Sequence, residues 1–154
     1  MINEIIMSQS FVQFYAHIVF HTKNNRPLIK PEIEVELYSY LGGILKSYKS
    51  NPIQIGGTAD HVHILCTIPK TMAPADLVEE IKKSSSKWIK TKNSQYQDFY
   101  WQDGYGGFSI GSSGVDGLKR YILNQKEHHH NLSAIDEYKK LLDEYGIPYE
   151  DKYL

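Results

Sequence analysis

The placement of proline sets the layout of this chain. Pro31 and Pro74 each stand just after a run of strand-forming residues and just before a pattern of helical period. Proline fits the first turn of a helix, where its missing N–H has no partner to lose, and breaks a helix anywhere further in. Ahead of Pro31, FVQFYAHIVFHTKN (11–24) is rich in β-branched and aromatic residues and reads as a strand, which Asn25, Arg26 and Pro27 end. After it, Ile33, Leu37, Leu41, Ile44, Leu45 and Tyr48 recur at helical spacing. This predicts a helix from Pro31 to about Tyr48 with those residues in the core, stopped by Asn51 and Pro52. A strand over 53–58 leads through Ala59 and Asp60 into another, HVHILCTIP (61–69). Pro74 then opens a helix to Ile89 with Leu77, Ile81 and Trp88 inward. FSIG (108–111) reads as a short strand after the glycine-rich QDGYGG, and helices over 115–130 and 134–145 close the chain.

The order strand, helix, strand, strand, helix, strand, helix is the split βαβ pattern. It predicts an α+β fold of the ferredoxin-like or RRM-like kind, an antiparallel sheet with helices packed on one face. We expect one domain over 1–154, with 1–8 poorly ordered and 131–154 a C-terminal helical tail; translation from Met7 instead of Met1 would remove most of the former. Apolar residues make up 41% of the chain, enough for a packed core. No apolar run reaches the ~20 residues that a membrane span needs. The opening MINEIIMSQS lacks the features of a secretory signal, and the single Cys66 cannot form an internal disulfide. The expected location is therefore the cytoplasm.

Charge gives no easy support for a nucleic-acid partner: seventeen Lys and Arg face eighteen Asp and Glu. The balance is uneven along the chain, however. Residues 131–154 carry three Lys against six Asp or Glu, while KKSSSKWIKTK (82–92) has five Lys and no acid.

His61 and His63 are two apart on a strand, so both rings point to one side and Val62 to the other. Two parallel imidazoles at that spacing can chelate one ion, with Asp60 as a partner for the outer ring nitrogen. Taken alone, such a pair is more often two histidines with no ligand. On the helix VDGLKRYILNQKEHHH (115–130), Tyr121 and Gln125 lie one turn apart on one face, with His128 on the same side. Alone, these too read as a packed tyrosine with polar neighbours. Together the two pieces make chemical sense. A phenol of pKa ~10 attacks a phosphodiester poorly unless an ion polarises the phosphate. Two imidazoles and a neutral amide oxygen suit a divalent ion such as Mg²⁺ or Mn²⁺.

At these residues the chain resembles the HUH single-tyrosine transposases of small bacterial insertion sequences, relatives of the REP-associated tyrosine transposases. The pieces that carry the resemblance are YAHIVFHTKNNRPLI (15–29), GGTADHVHIL (56–65), the Leu77-to-Trp88 helix, WQDGYGGFSIGSS (101–113) and YILNQKEHH (121–129). The resemblance implies that His61 and His63 are metal ligands, that Gln125 is the third, and that Tyr121 is the nucleophile. It also implies cleavage of single-stranded DNA near hairpins through a 5′-phosphotyrosine bond, strand rejoining by the freed 3′-hydroxyl, and a homodimer. The chain departs from the family's habit in being less basic.

For DNA contacts the candidates are Lys23 and Arg26 after the first strand, which read equally well as a solvated loop, Lys83 and Lys87 on the second helix, for which a soluble helix face is the slightly better reading, and Arg120 beside Tyr121. Trp101, Tyr105 and Phe108 fit the core better than a base stack. His17, His21, His129 and His130 read as structural or surface residues, and His128 is held in reserve as a metal or phosphate contact. Three other readings stay open: a domesticated nicking enzyme acting on host repeats, a non-catalytic nucleic-acid-binding module, and a metal hydrolase that uses water.

Overall fold

The computed structural model describes residues 10–129 and 131–154. The expectation for residues 1–8, and the assignment of His130, lie outside them. The strands are β1 Tyr15–His21, β2 Pro52–Thr58, β3 His61–Thr67 and β4 Gly106–Ile110. They form one antiparallel sheet in the order β2-β3-β1-β4, so each strand-helix-strand unit steps over one neighbour. The α+β class and the antiparallel sheet agree with the sequence pattern. The two crossover helices, α1 Pro31–Ser47 and α2 Pro74–Ile89, start at the two prolines.

β1 and β3 are central and buried on both faces. Ala16, Ile18 and Phe20 alternate with His17, Val19 and His21, and Val62, Ile64 and Cys66 alternate with His61, His63 and Leu65. The first set meets Leu37, Leu41, Leu45, Leu77 and Ile81 of α1 and α2 in the main core. Each such side chain, once buried, contributes about 1.5–3 kcal/mol.

The opposite face is covered too, which corrects the expectation of helices on one face only. Three further helices lie there: α3 Val115–Leu123, α4 Gln125–His128 and α5 Ala134–Glu144. Two glycines make this second layer possible. A Cβ on Gly56 of β2 would stand 2.7 Å from the Ile122 carbonyl oxygen and 2.8 Å from its side chain, so only glycine lets α3 lie this close. A Cβ on Gly106 of β4 would stand 2.6 Å from the Tyr138 ring of α5. Leu142 of α5 packs with Val19 and Phe108 in a small second cluster. The expected continuous helix over 115–130 is interrupted at Asn124 (φ −99°, ψ 20°), where α3 gives way to α4. Among the described residues no helix is long and apolar enough to cross a membrane.

Candidate active site

The face of the sheet toward α3, α4 and α5 is polar at its centre. In the β1–β3 register His21 lies opposite His61 and Val19 opposite His63, while Gly56 of β2 flanks His63 on the other side. Both His61 and His63 are fully buried. Since α3 rests on Gly56, it delivers Tyr121 half-buried, and α4 delivers Gln125 buried, to the two rings. The strand and the helix that the sequence marked separately therefore meet.

Hydrogen bonds orient the rings. His61 Nδ1 donates to Asp60 Oδ1 at 2.7 Å, and Thr58 Oγ1 donates to the same carboxylate at 3.0 Å. His61 Nε2 donates to Gln125 Oε1 at 2.9 Å. Burial opposes a charge on His61, but Asp60, Glu137 and Gln125 outweigh it and raise its pKa to about 9. His63 Nδ1 lies 2.7 Å from His17 Nε2, and its Nε2 donates to Glu137 Oε1 at 2.8 Å. Burial, and to a lesser degree neighbouring His61 and His129, hold His63 below its ordinary value despite Glu137. Burial and His63 bring His17 down to about 3.

Glu137 of α5 stands at the centre, 2% exposed. Gln125 Nε2 donates to its Oε2 at 2.9 Å, and the Tyr121 hydroxyl donates to the same oxygen. Burial alone would raise Glu137, but the bonds from His61 and His63 hold it far below the carboxylate range. Burial and Glu137 in turn push Tyr121 well above the phenol range. His129 Nε2 lies 3.2 Å from Glu137 Oε1 and 3.0 Å from Gln125 Oε1, while its Nδ1 is bonded to the Leu132 carbonyl.

One donor atom from each of His61, His63, His129 and Glu137 lies within 4.8 Å of the others. Ligands about 2.1 Å from one ion lie up to about 4.2 Å apart, so this set is close to a coordination shell. Its chemistry fits as well. With Nδ1 bonded to a carbonyl, His129 turns Nε2 toward the same two oxygens, Glu137 Oε1 and Gln125 Oε1, that face His61 and His63. Asp60 and Glu137 supply two negative charges, equal to the charge of a divalent ion.

The remaining candidates are scattered. His128 is 38% exposed, its ring centroid 4.9 Å from that of Tyr121, and it stands beside the cluster without joining it. Arg120 is exposed on α3. Lys23 and Arg26 are exposed on the loop beyond β1, at the end of the sheet that carries Asp60, where Thr22 N donates to the Asp60 carbonyl at 2.9 Å. Lys83 and Lys87 sit exposed on α2, across the sheet from Tyr121, and Lys83 pairs with Glu80 at 3.0 Å. The structure does not bring these two lysines to the site. Trp101 and Phe108 are buried, Trp101 donating to Ser85 Oγ at 2.9 Å, as the core reading of both requires. A groove of about 400 Å³ opens beside the nucleophile candidate, with His17, Tyr121, His128, Glu137 and Lys140 on its wall.

Sequence reasoning missed three of the central groups. Glu137 lay inside the acidic tail and was counted with its charges. The usable signal was its place on an inward stripe with Ala134, Leu141 and Leu142. His17 alternates with buried residues on β1, and His129 follows Gln125 by one helical turn; neither position is distinctive without the partner it meets.

The family model described as IS200-like transposase matches residues 10–125 of this sequence. A candidate transposase from Deinococcus radiodurans superposes with a TM-score of 0.60 at 18% identity, covering 77% of this chain and 95% of its own. A REP-associated tyrosine transposase, solved bound to a REP hairpin, gives 0.55 at 16% identity, covering 79% of this chain and 73% of its own. At such identities the likeness is one of fold. No curated protein matches the sequence.

Proposed function

Because the chain belongs to the IS200-like transposase family, we propose that it cleaves and rejoins single-stranded DNA at the ends of a mobile element, with Tyr121 as nucleophile. The observation that carries this reading is the Tyr121 hydroxyl, which lies within the cluster formed by His61, His63, Gln125 and Glu137. A reactive tyrosine needs its hydroxyl beside the group that polarises the phosphate, and the bond of Tyr121 to the histidine–glutamate cluster supports that role.

His61 and His63 would hold a divalent ion, Mg²⁺ or Mn²⁺, with Gln125 Oε1 in reach as a neutral ligand. Such an ion neutralises a non-bridging phosphate oxygen and makes the phosphorus a better electrophile. The protein's own groups do the rest. Asp60 and His17 fix the ring planes of His61 and His63. Tyr121 Oη gives up its proton along its bond to Glu137 Oε2 and on to water, attacks the phosphorus and forms the 5′-phosphotyrosine bond as the P–O3′ bond breaks. The departing 3′-oxygen takes a proton from water, and the free 3′-hydroxyl later reverses the step on another strand. The groove beside Tyr121 leads the strand in. Arg120, Lys23 and Arg26, on or near the site's side of the sheet, are the phosphate contacts that this path reaches first.

The substrate is a single strand with a hairpin, by analogy with the REP-associated relative solved on one, and the working species is a homodimer in the cytoplasm. The test uses a labelled single-stranded oligonucleotide carrying a flanking hairpin of the gene, incubated with Mn²⁺. The wild-type chain is expected to give a denaturation-resistant protein–DNA adduct, which Tyr121→Phe does not form. An adduct with Tyr121→Phe sinks the assignment; cleavage with no adduct at all favours a hydrolase that uses water.

A further inference from the structure

The family match ends at Gln125, yet the carboxylate at the centre of the site comes from beyond it, on α5. We propose that Glu137 is a two-sided residue of this site: its Oε1 joins His61 and His63 as the anionic ligand of the ion, and its Oε2 holds the Tyr121 hydroxyl beside them. This rests on the functional reading given above.

The two oxygens face different partners. Oε1 lies 2.8 Å from His63 Nε2, 3.2 Å from His129 Nε2 and 3.5 Å from His61 Nε2, so it looks into the imidazole cluster. Oε2 accepts from Gln125 Nε2 at 2.9 Å and from Tyr121. One carboxylate thus spans the metal ligands and the nucleophile. The ion pairs that Glu137 makes among the described residues are all with histidines, with no lysine or arginine. His63 Nε2 bonds to Oε1 through its N–H and His61 Nε2 stands close by; a divalent ion would take the place of the ring protons between these nitrogens and the carboxylate. The ion gains as well. Two imidazoles and an amide are all neutral, whereas Mg²⁺ and Mn²⁺ prefer anionic oxygen.

Glu137 is built into this position. Ser133 Oγ caps α5 by accepting from Asp136 N at 3.1 Å, Tyr138 rests against Gly106, and Leu142 is anchored under Phe108. Asp136, next in sequence, is exposed and takes no part. The C-terminal segment is therefore part of the catalytic machinery, and loading the ion also fixes the place of the hydroxyl.

The experiment is Mn²⁺ titration by calorimetry on the full chain without DNA, each variant first checked for folding by circular dichroism. Glu137→Gln is expected to bind Mn²⁺ at least tenfold more weakly, Glu137→Asp to recover part of the loss, and Asp136→Asn, exposed beside it, to stay within about threefold of wild type. Glu137→Cys loaded with Co²⁺ is expected to show a thiolate-to-cobalt charge-transfer band in the near ultraviolet, and this spectrum decides if Glu137→Gln does not fold. Wild-type Mn²⁺ affinity in folded Glu137→Gln, or a cobalt complex of Glu137→Cys without that band, overturns the assignment and leaves Tyr121 as the nucleophile. Adduct formation by Tyr121→Phe overturns the functional reading and leaves the metal measurements as they are.

Discussion

Each imidazole at the heart of the site is held by the nitrogen that does not face the cluster. His61 uses Nδ1 on Asp60, His63 uses Nδ1 on His17, and His129 uses Nδ1 on the Leu132 carbonyl. In metal sites such outer bonds set the tautomer and ring plane, and losing one costs about 10–100-fold in affinity. Asp60 is the partner whose removal should disturb packing least, since its side chain is 30% exposed. Asp60→Ala is expected to weaken Mn²⁺ binding by about that factor with little change in thermal stability, and Asp60→Asn, which keeps an acceptor for Nδ1, by less. Calorimetric titration of the two variants reads this; equal loss in both would mean that charge, not orientation, is what Asp60 supplies. At this scale the sequence showed the residues whose spacing is itself a signal: His61 with His63, and Tyr121 with Gln125. Asp60 was legible as well, by adjacency. Glu137 and His17 were not, because their roles arise from contacts across 74 and 46 residues that no local pattern encodes; His129 stands one helical turn from Gln125, but what it does there depends on Glu137, which only the fold brings to it.

Among the elements, the prolines and the strand patterns carried most of the fold. Both crossover helices begin at the expected proline, and all four strands overlap the expected ones, β1 being shorter than 11–24 and β4 beginning at Gly106, two residues early. What stayed hidden was the second helical layer. A run of period 3.6 says that a helix has an apolar face, and leaves open which side of the sheet receives it. The side is decided by Gly56 and Gly106, whose missing Cβ atoms leave room for Ile122 and Tyr138. The break at Asn124 escaped the pattern for a related reason. No proline or glycine marks it, since VDGLKRYILNQKEH runs on through the position. Gly56→Ala tests the role of the close approach. The added methyl meets a backbone carbonyl, which cannot swing away as a side-chain end can. The variant is expected to lose about 1–3 kcal/mol in denaturant unfolding, the usual cost of overpacking. It should also lose adduct formation more than tenfold, because α3 must lift and take Tyr121 with it. Gly56→Ala with wild-type adduct yield would show that α3 does not need to rest on β2 for the chemistry.

Taken whole, the molecule joins its two layers through the site. The sheet brings His61 and His63, α4 brings Gln125, and α5 brings Glu137. The apolar contacts on this face are few beside the main core, with Val19, Phe108 and Leu142 forming only a small cluster. An ion shared by strand and helix ligands, as proposed, would therefore tie down the more weakly packed layer. Ligands that bind only the folded state stabilise it by mass action, by about 2.7 kcal/mol at one hundred times Kd. For a chain of this size each kcal/mol moves Tm by about 2–4 °C, so saturating Mn²⁺ is expected to raise Tm by roughly 5–10 °C. Chelation by EDTA should return it. His61→Ala separates this from a general salt effect. That variant keeps the surface charges of the chain and loses a ligand from the buried centre, so its Tm should not respond to Mn²⁺. A wild-type chain whose melting ignores Mn²⁺, or a His61→Ala variant that responds as fully as wild type, would place the ion elsewhere and leave the histidine–glutamate cluster as a hydrogen-bonded joint between the layers.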